Sequence, residues 1–298
     1  MTVLANKIDF IGFIAVDRAN PNGDPINGNQ PRTDYDGYGE ISDVCIKRKI
    51  RNRLQDMGEN ILVKSADRAD DGYDSIRSRV EGCEAMKAPL KLKEKDASRV
   101  SKLAAAACHE WLDVRAFGQL LALKKGAGVD AVSCGIRGPV SIHTAVSLEP
   151  VVISSMQITK SVNGEPGGVK SSDTMGMKHR VDFGVYKLQG SINVQLAERT
   201  GFTTDDAQKI KQALITLFDN DASSARPEGS IEMRTFYWIT HENKNGNASA
   251  AKVHHSVTAK LRDGIETAKE YSDYVIDDST LYNTAGLTVE KYVDREQV

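Results

Sequence analysis

The residues whose type and spacing suggest chemistry form a dense cluster of cations early in the chain. Seven consecutive positions hold five basic side chains: Lys47, Arg48, Lys49, Arg51 and Arg53. Asp43 is the one acid that precedes a cation of this cluster, Lys47, by four residues. An acid placed four residues before a base favours an ion pair within a helix. Helical geometry brings Lys47 and Arg51 within about 40° of each other. A phosphate backbone is the ligand that such a cluster favours, against the alternative of an exposed helix face laced by ion pairs.

The cluster requires a helix, and the residues around it predict one. The strand-like run Ile8 to Val16 is followed by a loop rich in proline and glycine, residue types that shape turns. Ser42 is the predicted N-cap of the helix. The buried face is predicted from apolar residues at helical spacing, which are Ile46, Ile50, Leu54 and Met57. Strand, shaped loop and basic helix together could bring a polyanion to the edge of a sheet.

A second basic segment runs from Ile158 to Phe183 and is strand-like at both ends, with a glycine-rich and serine-rich middle. This pattern predicts a long protruding hairpin. Its cations are Lys160, Lys170, Lys178, His179 and Arg180. Met175 and Met177 could wedge between bases, but clustered aromatic residues for stacking are missing. Contacts to RNA through this hairpin should therefore go to phosphate and sugar, and the alternative is an exposed surface loop.

Acids in the first loop offer a different chemistry. Asp17, Asp24, Asp34 and Asp36 could bind a metal that assists phosphodiester cleavage, although acids in turns usually cap backbone N–H groups. The sequence contains none of the motifs of P-loop, dinucleotide-binding, metalloprotease or α/β-hydrolase enzymes. Its histidines lack metal-ligand spacing. We predict no cofactor and no metal, and a metabolic α+β enzyme is disfavoured.

The composition is that of an ordinary globular protein, with 40% hydrophobic and 27% charged residues in 298. The net charge is −2, but residues 263–298 hold nine acids and three bases, so the preceding part is basic. The four cysteines are far apart and form no C-x-x-C pair, which predicts reduced thiols in a cytoplasmic protein. No segment has the roughly 20 apolar residues of a membrane span, and we expect no membrane association.

The order of the elements predicts an α+β fold. A strand, the basic helix, further strands, a second helix over Thr203 to Asp219 and a last strand suggest a ferredoxin-like (RRM-like) βαββαβ palm, a core that binds single-stranded RNA on its sheet in RRM domains. Residues 1–58 and 138–298 would form the palm, with the hairpin at 159–182. Residues 59–137 would be an inserted, mainly helical subdomain. Ser98 to Leu123 reads as helical, with a break or bend at residues 113–118 before the short apolar run Gln119 to Leu123. Lys252 to Leu261 reads as a strand.

Several blocks of sequence along nearly the whole chain carry a family resemblance. Those near the N-terminus are NPNGDP, GNQPR and GYGEISDVCIKRKIRNRL. The later ones are DVRAFG, GPVSIHTAVSLEPV, ITKS, KHRVDFGVY and FDNDASSARPEGSIEMR. Together they resemble the backbone subunit of CRISPR Cascade complexes, most closely the type I-C version, and their common order makes the resemblance specific.

The resemblance implies a non-catalytic scaffold with an RRM-like palm, an inserted subdomain and a thumb hairpin, which would be residues 159–182. Such subunits polymerise head to tail along CRISPR guide RNA beside other Cascade subunits, and the exposed guide bases pair with target DNA. The residues that would hold the guide are Arg18, Asn20, Asn22, Lys47, Lys49 and Arg51, with Arg115 and Arg137 as weaker candidates. Related type III subunits cut RNA with a loop acid, so a metal-dependent endoribonuclease on the same fold is the alternative.

Overall fold

The computed structural model describes residues 2–93, 96–126, 130–159 and 175–298. The helices are α1 Asp43–Asp56, α2 Ile76–Gly82, α3 Glu84–Leu90, α4 Arg99–Glu110, α5 Leu112–Phe117, α6 Val194–Thr200, α7 Thr204–Ile215, α8 Ala250–His255 and α9 Ser279–Tyr282. The strands are β1 Ile8–Ala19, β2 Gly23–Asp24, β3 Gln30–Pro31, β4 Tyr38–Ile41, β5 Gly118–Leu123, β6 Val132–Arg137, β7 Val140–Ile142, β8 Ala145–Pro150, β9 Ile153–Thr159, β10 Met175–Ile192, β11 Ile231–His241, β12 Thr258–Leu261, β13 Tyr274–Asp277, β14 Leu287–Val293 and β15 Glu296–Gln297. Short 3₁₀ turns lie at 25–27, 66–68 and 271–273.

A large antiparallel sheet organises the molecule, with the strand order β15-β14-β11-β1-β10-β8-β4. β1 pairs antiparallel with both β10 and β11, so it lies in the middle of the sheet. Its residues are buried on both faces: Phe10 and Ile14 pack in the core under α1 and α7, while Ile11 and Phe13 pack in a second core against α8. This explains why the run is continuously apolar rather than alternating.

The predicted N-cap and the predicted buried face of α1 are confirmed. The Ser42 hydroxyl accepts a hydrogen bond from the N–H of Cys45 at 3.3 Å, and the Thr203 hydroxyl accepts one from Asp206 at 3.1 Å. The side chains of Ile46, Ile50 and Leu54 are fully buried, and Met57 packs against the same core. The cations of α1 therefore lie on the remaining faces of this helix.

A separate hydrophobic cluster gathers residues from Leu62 to Cys134, with α4 and Trp111 at its centre. The helix predicted over Ser98 to Leu123 is wrong in its last part, because α5 ends at Phe117 and β5 pairs with β6 as a hairpin. Gly118 lies at the junction of α5 and β5 and has φ of +79°, a conformation that a residue with a Cβ rarely adopts. The segment is thus mixed rather than only helical, and its status as an inserted subdomain stays a prediction.

Two further segments test the predicted elements. Lys252 to Leu261 is not one strand: α8 occupies its first part and β12 its last part. β9 and β10 pair antiparallel from Ile153 with Val181 to Thr159 with Met175, so the stem of a protruding hairpin is present. Lys160 and Lys170 lie outside the described residues. In the part of the chain that is described, no helix is long and apolar enough to cross a membrane.

Candidate nucleic-acid interface

A groove of about 760 Å³ runs along α1, and its lining is rich in cations. Its walls come from the loop after β1, from α1, from residues 63–68 and from residues 220–226. Seven of its described lining residues are basic and two are acidic. The cations are Arg32, Arg48, Lys49, Arg51, Lys64, Arg68 and Arg226, and the acids are Asp67 and Asp221. Cations thus outnumber acids on the lining by five, and four of these cations also pair with acids behind it: Arg32 with Asp24, Arg51 with Asp113, Lys64 with Asp70 and Arg68 with Asp56. A lining of this composition suits a polyanion.

Lys49 lies at the floor of this groove, with only 5% of its side chain exposed. Its ammonium is hydrogen-bonded to the Asp221 carboxylate and lies 5.5 Å from the Phe218 ring centroid. Arg226 donates to the same carboxylate at 3.0 Å. Burial lowers the pKa of Lys49, while the Asp221 charge acts in the opposite direction. Asp221 thus holds two groove cations in place.

Arg51 is also tied to the protein. Its Nε donates to the Asp113 carboxylate at 2.9 Å, and its guanidinium lies over the Phe117 ring at 5.1 Å. Only 14% of the Arg51 side chain and 1% of the Asp113 side chain are exposed. The Asp113 carboxylate also accepts the backbone N–H groups of Leu62 and Val63, at 2.8 and 3.2 Å. Arg51 therefore belongs to a buried hydrogen-bonded cluster at the edge of the groove.

The expectation that the α1 cations lack partners is wrong, because their acids come from distant parts of the chain. Besides Lys49 and Arg51, Arg53 lies 3.6 Å from Asp219. The predicted helical pair of Lys47 and Asp43 is present at 2.9 Å. Helical spacing cannot reveal an acid that the tertiary fold supplies.

Arg48 is the most exposed of the groove cations that α1 provides. Its side chain is 60% exposed, and its only acidic neighbour within 4 Å among the described residues is Asp67, at 3.5 Å. The Asp67 side chain is itself 72% exposed. An ion pair this open to water is weak, and a ligand can replace it. Arg48 is thus the α1 cation best placed to meet a phosphate.

The loop residues carried over from the family resemblance have different environments. The Asn22 side-chain oxygen accepts hydrogen bonds from the Ser42 N–H at 2.9 Å and the Ser42 hydroxyl at 2.8 Å, so it fixes the start of α1. Asn20 is buried, and its amide donates to the backbone oxygen of Asn29 at 2.8 Å. Arg18 is exposed, with φ of +49°. Of these residues, Asn22 lines the groove and Arg18 lines a neighbouring cavity.

The neighbouring cavity, of about 680 Å³, lies at the base of the β9–β10 hairpin. Arg180 lines it and lies 3.7 Å from Asp182. His179 is buried, with its Nδ1 2.7 Å from the Ser155 hydroxyl, and Lys178 is half-buried in the same stem. Asp17 and Arg18, near the end of β1, line this cavity, and the groove lining begins three residues later at Pro21.

Arg115 and Arg137 are placed away from the lining of both cavities. Arg115 forms a two-pronged ion pair with the buried Asp206, at 2.7 and 2.8 Å, which joins α5 to the N-terminus of α7. Arg137 is exposed at the end of β6. The contacts of Arg115 indicate a structural role.

Two of the four acids predicted as possible metal ligands, Asp24 and Asp34, make turn contacts in the structure. The Asp24 carboxylate accepts the N–H of Ile26 at 3.3 Å and pairs with Arg32 at 3.3 Å. Asp34 accepts the N–H groups of Asp36 and Tyr38. Across the described ranges, no group of three or more histidine, cysteine or acidic residues is arranged to hold a metal.

Sequence reasoning missed several residues of the groove wall: Arg32, Lys64, Arg68 and Arg226. They come from three separate segments that local periodicity does not connect: the loop after β1, residues 63–68 and residues 220–226. Arg226 lies within the block FDNDASSARPEGSIEMR, which carried the family resemblance. Arg32 likewise ends the block GNQPR. These two blocks were the available signals, and they pointed to segments rather than to charges.

The fold and the groove define an α/β protein with a cationic surface suited to a polyanion. A family model described as CRISPR-associated protein Cas7 matches residues 6–279. A CRISPR-associated protein Cas7 from Haloferax volcanii is 25% identical over 309 residues, which cover 99% of this chain and 86% of that protein. Because the family model spans most of the chain, the protein belongs to the Cas7 family of CRISPR-associated proteins.

Two solved chains are also similar in structure. One comes from a CRISPR RNA-guided surveillance complex in a pre-nicking state, with a TM-score of 0.49 and 13% identity, covering 88% of this chain and 84% of that one. The other comes from a CRISPR RNA-guided surveillance complex, with a TM-score of 0.43 and 15% identity, covering 89% of this chain and 78% of that one.

Proposed function

We propose that this protein is a non-catalytic RNA-binding scaffold of a CRISPR RNA-guided complex, and that the groove along α1 holds the backbone of the guide RNA. The observation that carries the proposal is the surplus of five cations among the described groove residues of a chain whose net charge is −2. Membership of the Cas7 family supports the same function. Binding through phosphates would be independent of sequence, as a guide whose spacer varies requires.

The palm of this scaffold would be ferredoxin-like, and its strand order supports this. β1 and β8 both run antiparallel to β10, which lies between them, and α1 connects them. β10 and β11 both run antiparallel to β1, and α6 and α7 connect them. Two interleaved crossovers of this kind are the split βαβ arrangement of the ferredoxin-like fold. Residues 1–58 and 138–298 would form this palm and residues 59–137 the insertion.

The remaining parts of the proposal concern assembly. Residues 159–182 would be a thumb that closes over the RNA, and the sequence blocks favour a backbone subunit of the type I-C Cascade. Its partners would be the guide RNA, further copies of this chain arranged head to tail, other Cascade subunits and, through the guide, the target DNA strand. Base pairing would then supply specificity while the protein holds the shape of the guide.

Affinity for single-stranded RNA over a series of salt concentrations tests the proposal. The wild type is compared with Arg48→Ala/Arg226→Ala, which removes two groove cations. Each lost phosphate contact should flatten the salt dependence of log K by about 0.7 on a single strand. The matched control Lys244→Ala/Lys260→Ala removes two cations that line neither cavity. Equal slopes for the groove variant and the wild type would place the RNA elsewhere.

A further inference from the structure

Asp113 joins three separate segments at one edge of the groove. It belongs to α5, it accepts Arg51 of α1, and it accepts the backbone N–H groups of Leu62 and Val63. Only 1% of the Asp113 side chain is exposed, so its carboxylate accepts these three hydrogen bonds inside the protein. A buried carboxylate with three donors is held in one geometry, since losing a donor leaves charge unpaired.

The segment that Asp113 holds leads directly into the far wall of the groove. Val63, Lys64 and Ser65 line the groove opposite α1, and Arg68 follows in the same wall. The backbone oxygen of Leu62 accepts a hydrogen bond from Arg79 at 2.9 Å, so the segment is fixed from its other side as well. The far end of this wall is tied to α1 separately, because Arg68 donates to the backbone oxygen of Asn52 at 3.1 Å and to the Asp56 carboxylate at 2.7 Å. The contact between Arg51 and Asp113 therefore positions the start of the wall, at Leu62 and Val63.

We infer that Arg51 is a positioning residue: with Asp113 it clamps the start of the wall, at residues 62–63, to α1 and does not itself bind a phosphate. The inference rests on the proposed function, because it assigns the clamp a role in preparing the groove for RNA. The side chain of Arg51 is only 14% exposed and its guanidinium lies over the Phe117 ring, so the guanidinium is turned into the protein. A wall that is ordered before binding saves the entropy of ordering it during binding.

Asp113→Asn distinguishes the two possible roles of Arg51, because they predict opposite changes in RNA affinity. If Arg51 binds phosphate, removing its acidic partner frees a cation and strengthens RNA binding. If Arg51 is a clamp, the same change loosens the wall and weakens binding, by about 2- to 10-fold for one ordered segment. Arg51→Gln should then weaken binding by a similar factor with the wild-type salt slope, and the double variant should be no weaker than either single variant.

Amide hydrogen exchange at Leu62 and Val63 is the second measurement, made on the RNA-free protein. The clamp predicts faster exchange at both amides in Asp113→Asn and Arg51→Gln. It predicts wild-type exchange in the control Lys47→Ala, which removes a cation of the same helix whose acidic partner, Asp43, also lies in α1. Tighter RNA binding by Asp113→Asn, or unchanged exchange in Arg51→Gln, would overturn the inference. If the wild type binds no RNA, the proposed function fails, whereas the exchange data still decide the clamp.

Discussion

The exposed ion pair between Arg48 and Asp67 leads to a prediction of increased affinity. The two side chains lie 3.5 Å apart in the groove, and most of each is in contact with solvent. Asp67→Asn removes the anion that competes with RNA for Arg48 and raises the surplus of groove cations by one. The side chain keeps its size and its polarity, so the fold should be preserved. We expect tighter binding of single-stranded RNA.

The magnitude follows from the geometry. In water, one unit charge acting on another at about 4 Å changes an equilibrium by roughly fivefold. Measured exposed ion pairs fall at or below this value, so an increase in affinity of about 1.5- to 5-fold is expected. The gain should shrink as salt is added, because screening at physiological ionic strength acts over about 8 Å.

The assay is fluorescence anisotropy with a labelled single-stranded RNA at low and at physiological salt. Asp263→Asn is the matched control, since it makes the same charge change at an exposed residue that lines neither cavity. Arg48→Ala should bind more weakly than the wild type, and adding Asp67→Asn to it should restore less affinity than Asp67→Asn gains alone. Equal or weaker binding by Asp67→Asn would refute the placement of RNA phosphates at Arg48.

Three further predictions concern stability. Ile50→Ala, at a fully buried site of α1, should lower the free energy of unfolding by about 2–5 kcal/mol in urea titrations. Asp221→Asn should cost about 3–5 kcal/mol in the same assay, because it leaves the Lys49 ammonium buried without a countercharge, and a neutral effect would contradict that burial. Burial alone would raise the pKa of Asp9, but hydrogen bonds from His241 and other donors lower it overall. The stability that ionised Asp9 contributes is therefore complete above the ordinary aspartate pKa of about 4, and it is lost as the pH falls through the lower pKa of Asp9 in the folded protein. Asp9→Asn should flatten this acid dependence of the urea midpoint.

The sequence by itself determined the local structure of the basic helix. Its N-cap at Ser42 and its buried face at Ile46, Ile50 and Leu54 depend on contacts within four residues, which helical periodicity records directly. The blocks of family resemblance likewise indicated the family, because they span nearly the whole chain. The change from helix to strand at Gly118 was missed, since an apolar run of six residues suits either element.

Only the tertiary structure decided which cations are available to a ligand. The acids that hold Lys49 and Arg51 lie 172 and 62 positions away in the chain, so nothing in the local pattern announces them. The groove likewise draws its walls from four segments, and Arg226 joins Arg48 there because the loop before β11 folds back beside α1. Charge acts through space and falls off with distance, so the positions of opposite charges in the fold determine which cations can meet a phosphate.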